Sequence, residues 1–375
     1  MNILFIAPRF HSNQISLIKK LKEEGHNVHF FVMGIGNSED HTLVEPKIIP
    51  ISFISKLFYK ILYKNKKIDI FKYSVISIPS FRQYFKMVSE VKPDSVILRQ
   101  GNYIYFFMII PFLIIKGINY TFYSQTPKFS QPKRTGKVLK EKLITLNYKT
   151  KWFSPVLYRG EFHSDLIDNK HIDYLPFFMY PNLFSSPKDE NKNDISFLCV
   201  SKYEARKNIE LLIDAASELR EISNNFKITV IGSTGNDSRE KFYDLLRQKI
   251  KANDLEQQIT LLKNVPYSEM GNYYIKNDVF ILPTTNEPAS ISQLEAMSYG
   301  MAVICSEDNG TAHYIQDKVN GFIISPTKDK IVEKMLMYAT DIKTLQMHKA
   351  NSLEIINTEF SIDKAYAKFI EITGK

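Results

Sequence analysis

Twice along this chain, short apolar runs alternate with stretches of helical spacing. The first series holds NILFIA (2–7), ISLIKKLKEEG (15–25), VHFFVMG (28–34), SVILRQG (95–101), NYTFYSQ (119–125) and TKWFSPV (150–156). Gly25 stands where a helix end calls for a residue that tolerates positive φ. The second series restarts with ISFLCVS (195–201), NIELLIDAASELREI (208–222), FKITVIG (226–232) and SREKFYDLLRQKIKAN (238–253). QITLL (258–262), YSEMGNYYIKN (267–277), VFILP (279–283), SISQLEAMSYG (290–300) and AVICS (302–306) follow. Strands that alternate with helices pair in parallel, because each helix returns the chain to the same end of the sheet. The pattern predicts an α/β protein of two doubly wound domains. SSPKDENKND (185–194) is polar and aperiodic and reads as the linker. The expected division is 1–184, 185–360, and a last helix in 361–375 that could pack back on the first domain. Ligands of such sheets bind at the carboxyl ends of the strands, so the site is expected in a cleft between the two domains.

A length of 375 residues suits two domains, and 44% hydrophobic with 24% charged residues describes a globular chain with ample core. Cys199 and Cys305 both sit inside apolar runs and read as small buried hydrophobes in a reducing compartment. No Asp-x-Asp occurs, and no Cys/His cluster has metal-ligand spacing, so no metal is expected. MNILFIAPRF runs straight into a strand without a secretory leader. The apolar run at 103–115 is interrupted by Pro111 and too short to span a bilayer, so it reads as a helix buried in a domain core. The expected location is cytoplasmic.

The net charge of +9 is unevenly spread: residues 1–185 hold 26 Lys and Arg against 13 Asp and Glu. An anionic partner therefore meets the first half. Within 54–73, Lys56, Lys60 and Lys64 recur every fourth residue, with Leu57, Phe58, Ile61 and Leu62 between them. That is a basic amphipathic helix suited to an anionic membrane surface; the plainer alternative is a solvated face packed on its domain. The stretch 127–143 adds Lys and Arg among Pro and Gly that suggest a mobile loop. Nucleic acid is not expected, since no binding motif interleaves this charge with stacking aromatics.

Glu287 and Glu295 stand eight positions apart in EPASISQLEAMSYG (287–300). Ser290 and Gln293 have capping-box spacing, which predicts a helix from Ile291 to just before Gly300. The free N–H groups at its start form an anion site, and a carboxylate on either side could accept hydrogen bonds from a diol. A nucleotide sugar has that order of groups: sugar diol, diphosphate, ribose diol.

Residues 283–324 resemble the donor-site segment of retaining GT-B glycosyltransferases of family 4. Glu287, Pro288, Leu294, Glu295, Ala296, Met297 and Gly300 match its E-x7-E motif, and Gly310, Asn320 and Gly321 match the turns beyond. VSKYEARKNIELLIDA (200–215) is similar to the family's other donor segment, with Lys202 at its arginine position and Lys207 at its lysine position. The resemblance runs from about 195 to 325 and is only architectural before that. It implies two Rossmann-like domains facing each other across a cleft, and a nucleotide-sugar as donor substrate without a metal. By resemblance Glu287 meets donor-sugar hydroxyls, Glu295 the ribose and Val265 the base. Lys202 and Lys207 would neutralise the diphosphate, and backbone amides near Ser290, Ile291 and Ser292 would complete its cradle. Arg206 is the substitute if the alignment shifts by one; the plainer alternative for these lysines is an exposed basic turn before a helix.

The first half departs from the family. APRFHSNQIS (7–16) has no glycine where members often carry a glycine-rich turn, and YSQTPK (123–128) offers Gln125 where many place a His. Arg9, His11 and Arg99, at carboxyl ends of predicted strands, could line the acceptor side, or be loop side chains without a role. His313 takes the place of a family Glu and reads as structural. The expected acceptor is a glycan or a lipid-linked saccharide in cell-surface polysaccharide synthesis at the inner face of the plasma membrane. The alternatives are a nucleotide-sugar 2-epimerase and a non-catalytic nucleotide-sugar or glycan-binding subunit.

Overall fold

A computed structural model of the protein describes residues 1–36, 39–62, 78–99, 104–131, 151–160, 165–182 and 194–374. The first half is built on seven strands: β1 (Asn2–Ala7), β2 (Asn27–Val32), β3 (Lys47–Ile48), β4 (Ser95–Arg99), β5 (Asn119–Tyr123), β7 (Trp152–Ser154) and β9 (Ile172–Tyr174). Their order is β3-β2-β1-β4-β5-β7-β9, and every pair is parallel. β6 (Phe129–Ser130) and β8 (Ile167–Asp168) form a separate antiparallel pair. The second half holds β10 (Ile195–Lys202), β11 (Phe226–Ser233), β12 (Ile259–Lys263), β13 (Val279–Leu282), β14 (Ala302–Ser306) and β15 (Gly321–Ile324), all parallel in the order β12-β11-β10-β13-β14-β15. Strands such as β1 and β14 are apolar on both faces because both faces are covered. In each sheet the chain winds outward from the first strand and then returns to that strand's other side, between β1 and β4 and between β10 and β13. Those reversals leave crevices at the carboxyl ends, where ligands of this fold bind.

The described helices are α1 (Ile15–Glu23), α2 (Phe53–Leu62), α3 (Phe81–Val91), α4 (Ile104–Ile115), α5 (Ile209–Ile222), α6 (Asp237–Ala252), α7 (Met270–Lys276), α8 (Ser292–Ser298), α9 (Lys328–Thr340), α10 (Ile342–Thr358) and α11 (Ile362–Thr373). None of them is long and apolar enough to cross a membrane. A continuous buried core joins the halves, running from Phe5 and Phe30 through Phe177 and Phe178 to Tyr314 and Phe360. α11 returns to the first half, where Phe369 stacks on Phe5 at 6.4 Å and Lys20 pairs with Asp363 at 2.7 Å.

Sequence periodicity did not anticipate α3, α9, α10 or β15. α9 and α10 are capped by the Thr327 and Asp341 side chains, which accept from the backbone N–H of Lys330 and Thr344. α10 buries polar residues, with Lys349 paired to Asp278 at 2.9 Å and His348 bonded to Tyr338 at 2.8 Å, and this blurs its apolar stripe. The basic stretch 54–73 is helical from Phe53 to Leu62; its remainder, with Lys64, lies outside the described residues, as do 132–143 and most of the expected linker. Cys199 and Cys305 are buried and unpaired with each other.

Candidate active site

The carboxyl ends of the two sheets face each other across a cleft of about 470 Å³. His11, Asn13, Arg99 and Gln125 line it from the first half. Lys202, Arg206, Lys207, Val265, Glu287, Ser290, Ile291, Ser292 and Glu295 line it from the second. Folding thus gathers the candidate residues in one place, with the exception of Arg9, which lines an adjoining cleft together with Lys202, Val265 and Tyr267.

Three asparagines in left-handed backbone conformation shape the second-half wall. Asn208 (φ 52°) follows Lys207, Asn264 (φ 56°) precedes Val265, and Asn286 (φ 50°) precedes Glu287. Asn adopts this conformation more readily than other non-glycine residues, so each sharp turn aims its neighbour at the cleft. The periodicity did not reveal these residues, although an Asn directly beside each of Lys207, Val265 and Glu287 was the available signal. The Glu287 loop is tied to a second one: Glu287 N–H donates to the Asp308 carbonyl at 3.0 Å, and Gly310 N–H to the Glu287 carbonyl at 2.9 Å. A Cβ on Gly310 would lie 2.1 Å from the Pro288 carbonyl oxygen. Gly310→Ala is therefore expected to destabilise the protein by about 1–3 kcal/mol and to weaken nucleotide binding, because both colliding groups are backbone. Urea unfolding and calorimetric titration with nucleoside diphosphate check this; a variant equal to the parent in both would show that the two loops are not locked.

Lys207 is buried, which corrects the picture of an exposed basic turn. Its ammonium bonds Glu287 Oε2 at 2.5 Å, and Arg206 reaches the same oxygen at 2.7 Å. Arg206 also pairs with Glu204 at 3.1 Å, and Glu204 with Arg239. Glu287 thus links Lys207 to a chain of alternating charges that runs through Arg206 and Glu204 to Arg239. Burial works to raise its pKa, but Lys207 and Arg206 outweigh that and hold it below the ordinary carboxylate value. Arg206, a mere substitute in the sequence reading, is a full partner of the site.

Glu295 is buried, and among the described residues no cation forms an ion pair with it. It accepts from Tyr274 Oη at 2.8 Å and from Tyr267, and burial pushes its pKa up despite those hydrogen bonds. The predicted capping box does not form. α8 begins at Ser292 with Ile291 as its uncapped N-cap, Ser290 N–H donates to Thr311 Oγ1 at 3.0 Å, and Gln293 turns inward to Asn309 and Thr311. The Ser290 amide is thereby taken. Its hydroxyl lies 2.9 Å from that of Ser292.

The remaining charge in the cleft is positive. Burial, and then Arg9, Arg99 and Lys202, lower the His11 pKa to about 3, so its ring is neutral at physiological pH. Lys202 is held below the ordinary lysine value by burial and by Arg239 and Arg9. Arg99 lies over the Tyr123 ring at 4.3 Å. Among the described residues, no carboxylate forms an ion pair with Arg9, Arg99 or Lys202. His313 lies away from the cleft, bonded to Tyr174 Oη at 3.0 Å and packed against Tyr158 and Tyr314.

Two Rossmann-like domains with their sheets' carboxyl ends facing across a cleft define the GT-B fold. Residues 183–353 match the family described as Glycosyl transferases group 1. The chain is 24% identical over 196 residues to the amylovoran biosynthesis glycosyltransferase AmsK of Erwinia amylovora, covering 49% of this chain and 46% of that one. An uncharacterized glycosyltransferase of Haemophilus influenzae is 21% identical, with 89% of this chain and 96% of that one covered. The chain spans about half or less of the length of the two relatives matched first, AmsK and the GtfA subunit of a Streptococcus pneumoniae N-acetylglucosaminyltransferase. In structure it resembles Anabaena HepE in complex with UDP-glucose, at TM-score 0.73 and 14% identity over 98% of both chains. It also resembles WaaG, a glycosyltransferase involved in lipopolysaccharide biosynthesis, at TM-score 0.65 and 15% identity over the whole of both chains.

Proposed function

We propose that the protein is a glycosyltransferase that moves a sugar, with retention of configuration and without a metal ion, from a nucleotide-sugar to a glycan or lipid-linked acceptor. The observation that carries this reading is the charge arrangement of the cleft: two buried carboxylates in hydrogen-bonded settings, and between them and the first half a group of cations without carboxylate partners. A diphosphate supplies the missing negative charge at Lys202, and Lys207 and Arg206, which already hold Glu287, add to its binding. Glu295 takes the ribose hydroxyls, Val265 the base and Glu287 the sugar. As the bond from the sugar's anomeric carbon to the phosphate oxygen breaks, the cations stabilise the charge growing on the leaving diphosphate. The acceptor oxygen attacks from the face the diphosphate leaves, and its proton passes to the leaving phosphate. His11, Arg99 and Gln125, with Arg9 beside them, form the acceptor side. AmsK and WaaG are named for amylovoran and lipopolysaccharide biosynthesis, which supports a cell-surface glycan as product. The working position is the inner face of the plasma membrane, with 54–73 against its anionic surface.

The test is thermal shift against a panel of nucleotide-sugars, followed by hydrolysis of the stabilising donor in the absence of acceptor. One donor is expected to stabilise the protein and be hydrolysed slowly, with EDTA leaving the rate largely intact. Binding without hydrolysis or transfer points to a binding subunit, epimerised donor to the 2-epimerase, and a loss restored by Mg²⁺ or Mn²⁺ refutes the metal-free reading.

A further inference from the structure

α2 is an amphipathic helix turned inside out. Among its described side chains it buries Ser55 and Tyr59, while Phe53 (78% exposed), Ile54 (61%), Leu57 (46%), Phe58 (49%) and Ile61 (60%) face outward. At 100° per residue those five fall within one continuous arc of roughly 140°. Lys60 and then Lys56, both exposed, border the arc on the Phe53 side. Single exposed apolar residues are ordinary, but a contiguous group of five large ones on one helix marks a surface that meets something apolar. Sequence periodicity pointed to the lysines with Leu57, Phe58, Ile61 and Leu62 between them; the structure adds Phe53 and Ile54 and shows that the apolar face is the outer one.

We infer that α2 inserts this face into the outer few ångströms of an anionic lipid bilayer, so that membrane attachment is chiefly hydrophobic and the lysines add selectivity for anionic headgroups. The inference deepens the membrane-side reading above and rests on it for its biological sense. Two observations favour a bilayer over a protein partner. The bordering charge is of one sign, and the stretch 54–73 carries six lysines against one aspartate, which suits a uniformly anionic plane. The position also suits it: α2 begins just beyond β3, and in a parallel sheet every strand's carboxyl end lies on the same side. The ends of β1 and β4, which lead to His11 and Arg99, therefore lie on the side of the sheet where α2 starts. Insertion would bring the acceptor side of the cleft towards the bilayer, where a saccharide on a lipid carrier is presented. An interfacial helix of this kind sinks its apolar face roughly 5–10 Å into the headgroup boundary.

Full-length protein is sedimented with vesicles of phosphatidylcholine, with and without phosphatidylglycerol, at low and high salt. The parent is expected to bind phosphatidylglycerol vesicles and to keep most of that binding at high salt. Phe53→Ser, Ile54→Ser and Leu57→Ser together are expected to lower partitioning roughly a hundredfold or more at both salts, since each buried apolar side chain is worth about a factor of ten. Lys56→Gln with Lys60→Gln should lose binding only severalfold, and only at low salt. A Phe53→Trp variant should show a blue-shifted emission and quenching by brominated acyl chains, over the background of buried Trp152. Binding abolished by salt, or unchanged in the serine variant, would overturn insertion. A parent that ignores vesicles but self-associates through residues removed in the serine variant would overturn it in favour of a protein contact. Nucleotide-sugar binding, measured on the same variants without vesicles, should equal the parent's, so failure of the donor reading is seen separately.

Discussion

Lys207→Ala is expected to lower kcat/KM by roughly 100–1,000-fold, the range seen when one preorganised donor to a developing negative charge is removed. Lys207 has two tasks in the proposed reaction. It keeps Glu287 ionised and aimed, through the 2.5 Å contact, and it offsets the charge that grows on the leaving phosphate. The second task strengthens as the bond breaks, so kcat should fall more than donor affinity. Losing one partner of a buried ion pair costs several kcal/mol when a bare charge is left behind. Here Arg206 still holds Glu287 at 2.7 Å, so the stability loss should be smaller, about 1–3 kcal/mol, and the variant should fold. Lys202→Ala should impair turnover similarly, and the double variant should fall short of the product of the two, because both ammonium groups act on one diphosphate. A folded Lys207→Ala with near-normal turnover would place the donor phosphates elsewhere and bring down the site assignment.

Glu295→Gln is expected to weaken nucleoside diphosphate binding about 10–100-fold near neutral pH, the worth of charged hydrogen bonds to a ribose diol at roughly 1.5–3 kcal/mol. The parent should also show a pH dependence that the variant lacks. Burial raises the folded-state pKa of Glu295, so its neutral form persists above the usual carboxylate range. The ionised form is the better acceptor for ribose hydroxyls, so affinity should rise with pH through that raised pKa. Stability should move the opposite way: the contribution of the protonated group is complete below the unfolded-state pKa and is lost as pH rises through the folded-state one. Calorimetric titration checks the first and urea unfolding the second, each at several pH values. Equal binding by parent and variant across the range would remove Glu295 from the ribose.

Much of this arrangement was legible in the residues. The alternation of apolar runs with helical spacing placed ten of the thirteen strands of the two sheets, missing β3, β9 and β15, since a strand covered on both faces must be apolar throughout. The spacing of Glu287 and Glu295, with Lys202 and Lys207 added by the family resemblance, pointed to residues that line one wall of the cleft. α10 escaped notice because it buries Lys349 and His348 against Asp278 and Tyr338, so its inward face does not look apolar. α2 lies where the basic amphipathic pattern placed a helix, and its apolar residues point outward.

The sequence by itself determined the class of fold, the two-domain plan and the set of charged residues at the strand ends, because periodicity and residue type are local properties. Tertiary structure alone decided how those charges are matched. It brought Arg206 and Lys207 onto one oxygen of Glu287, 81 and 80 residues away along the chain, and set Glu295 against two tyrosine hydroxyls. It also surrounded His11 with cations drawn from both halves. The strength and sign of such interactions depend on distance and burial, which no local pattern encodes, and the long-range packing of the two sheets sets both.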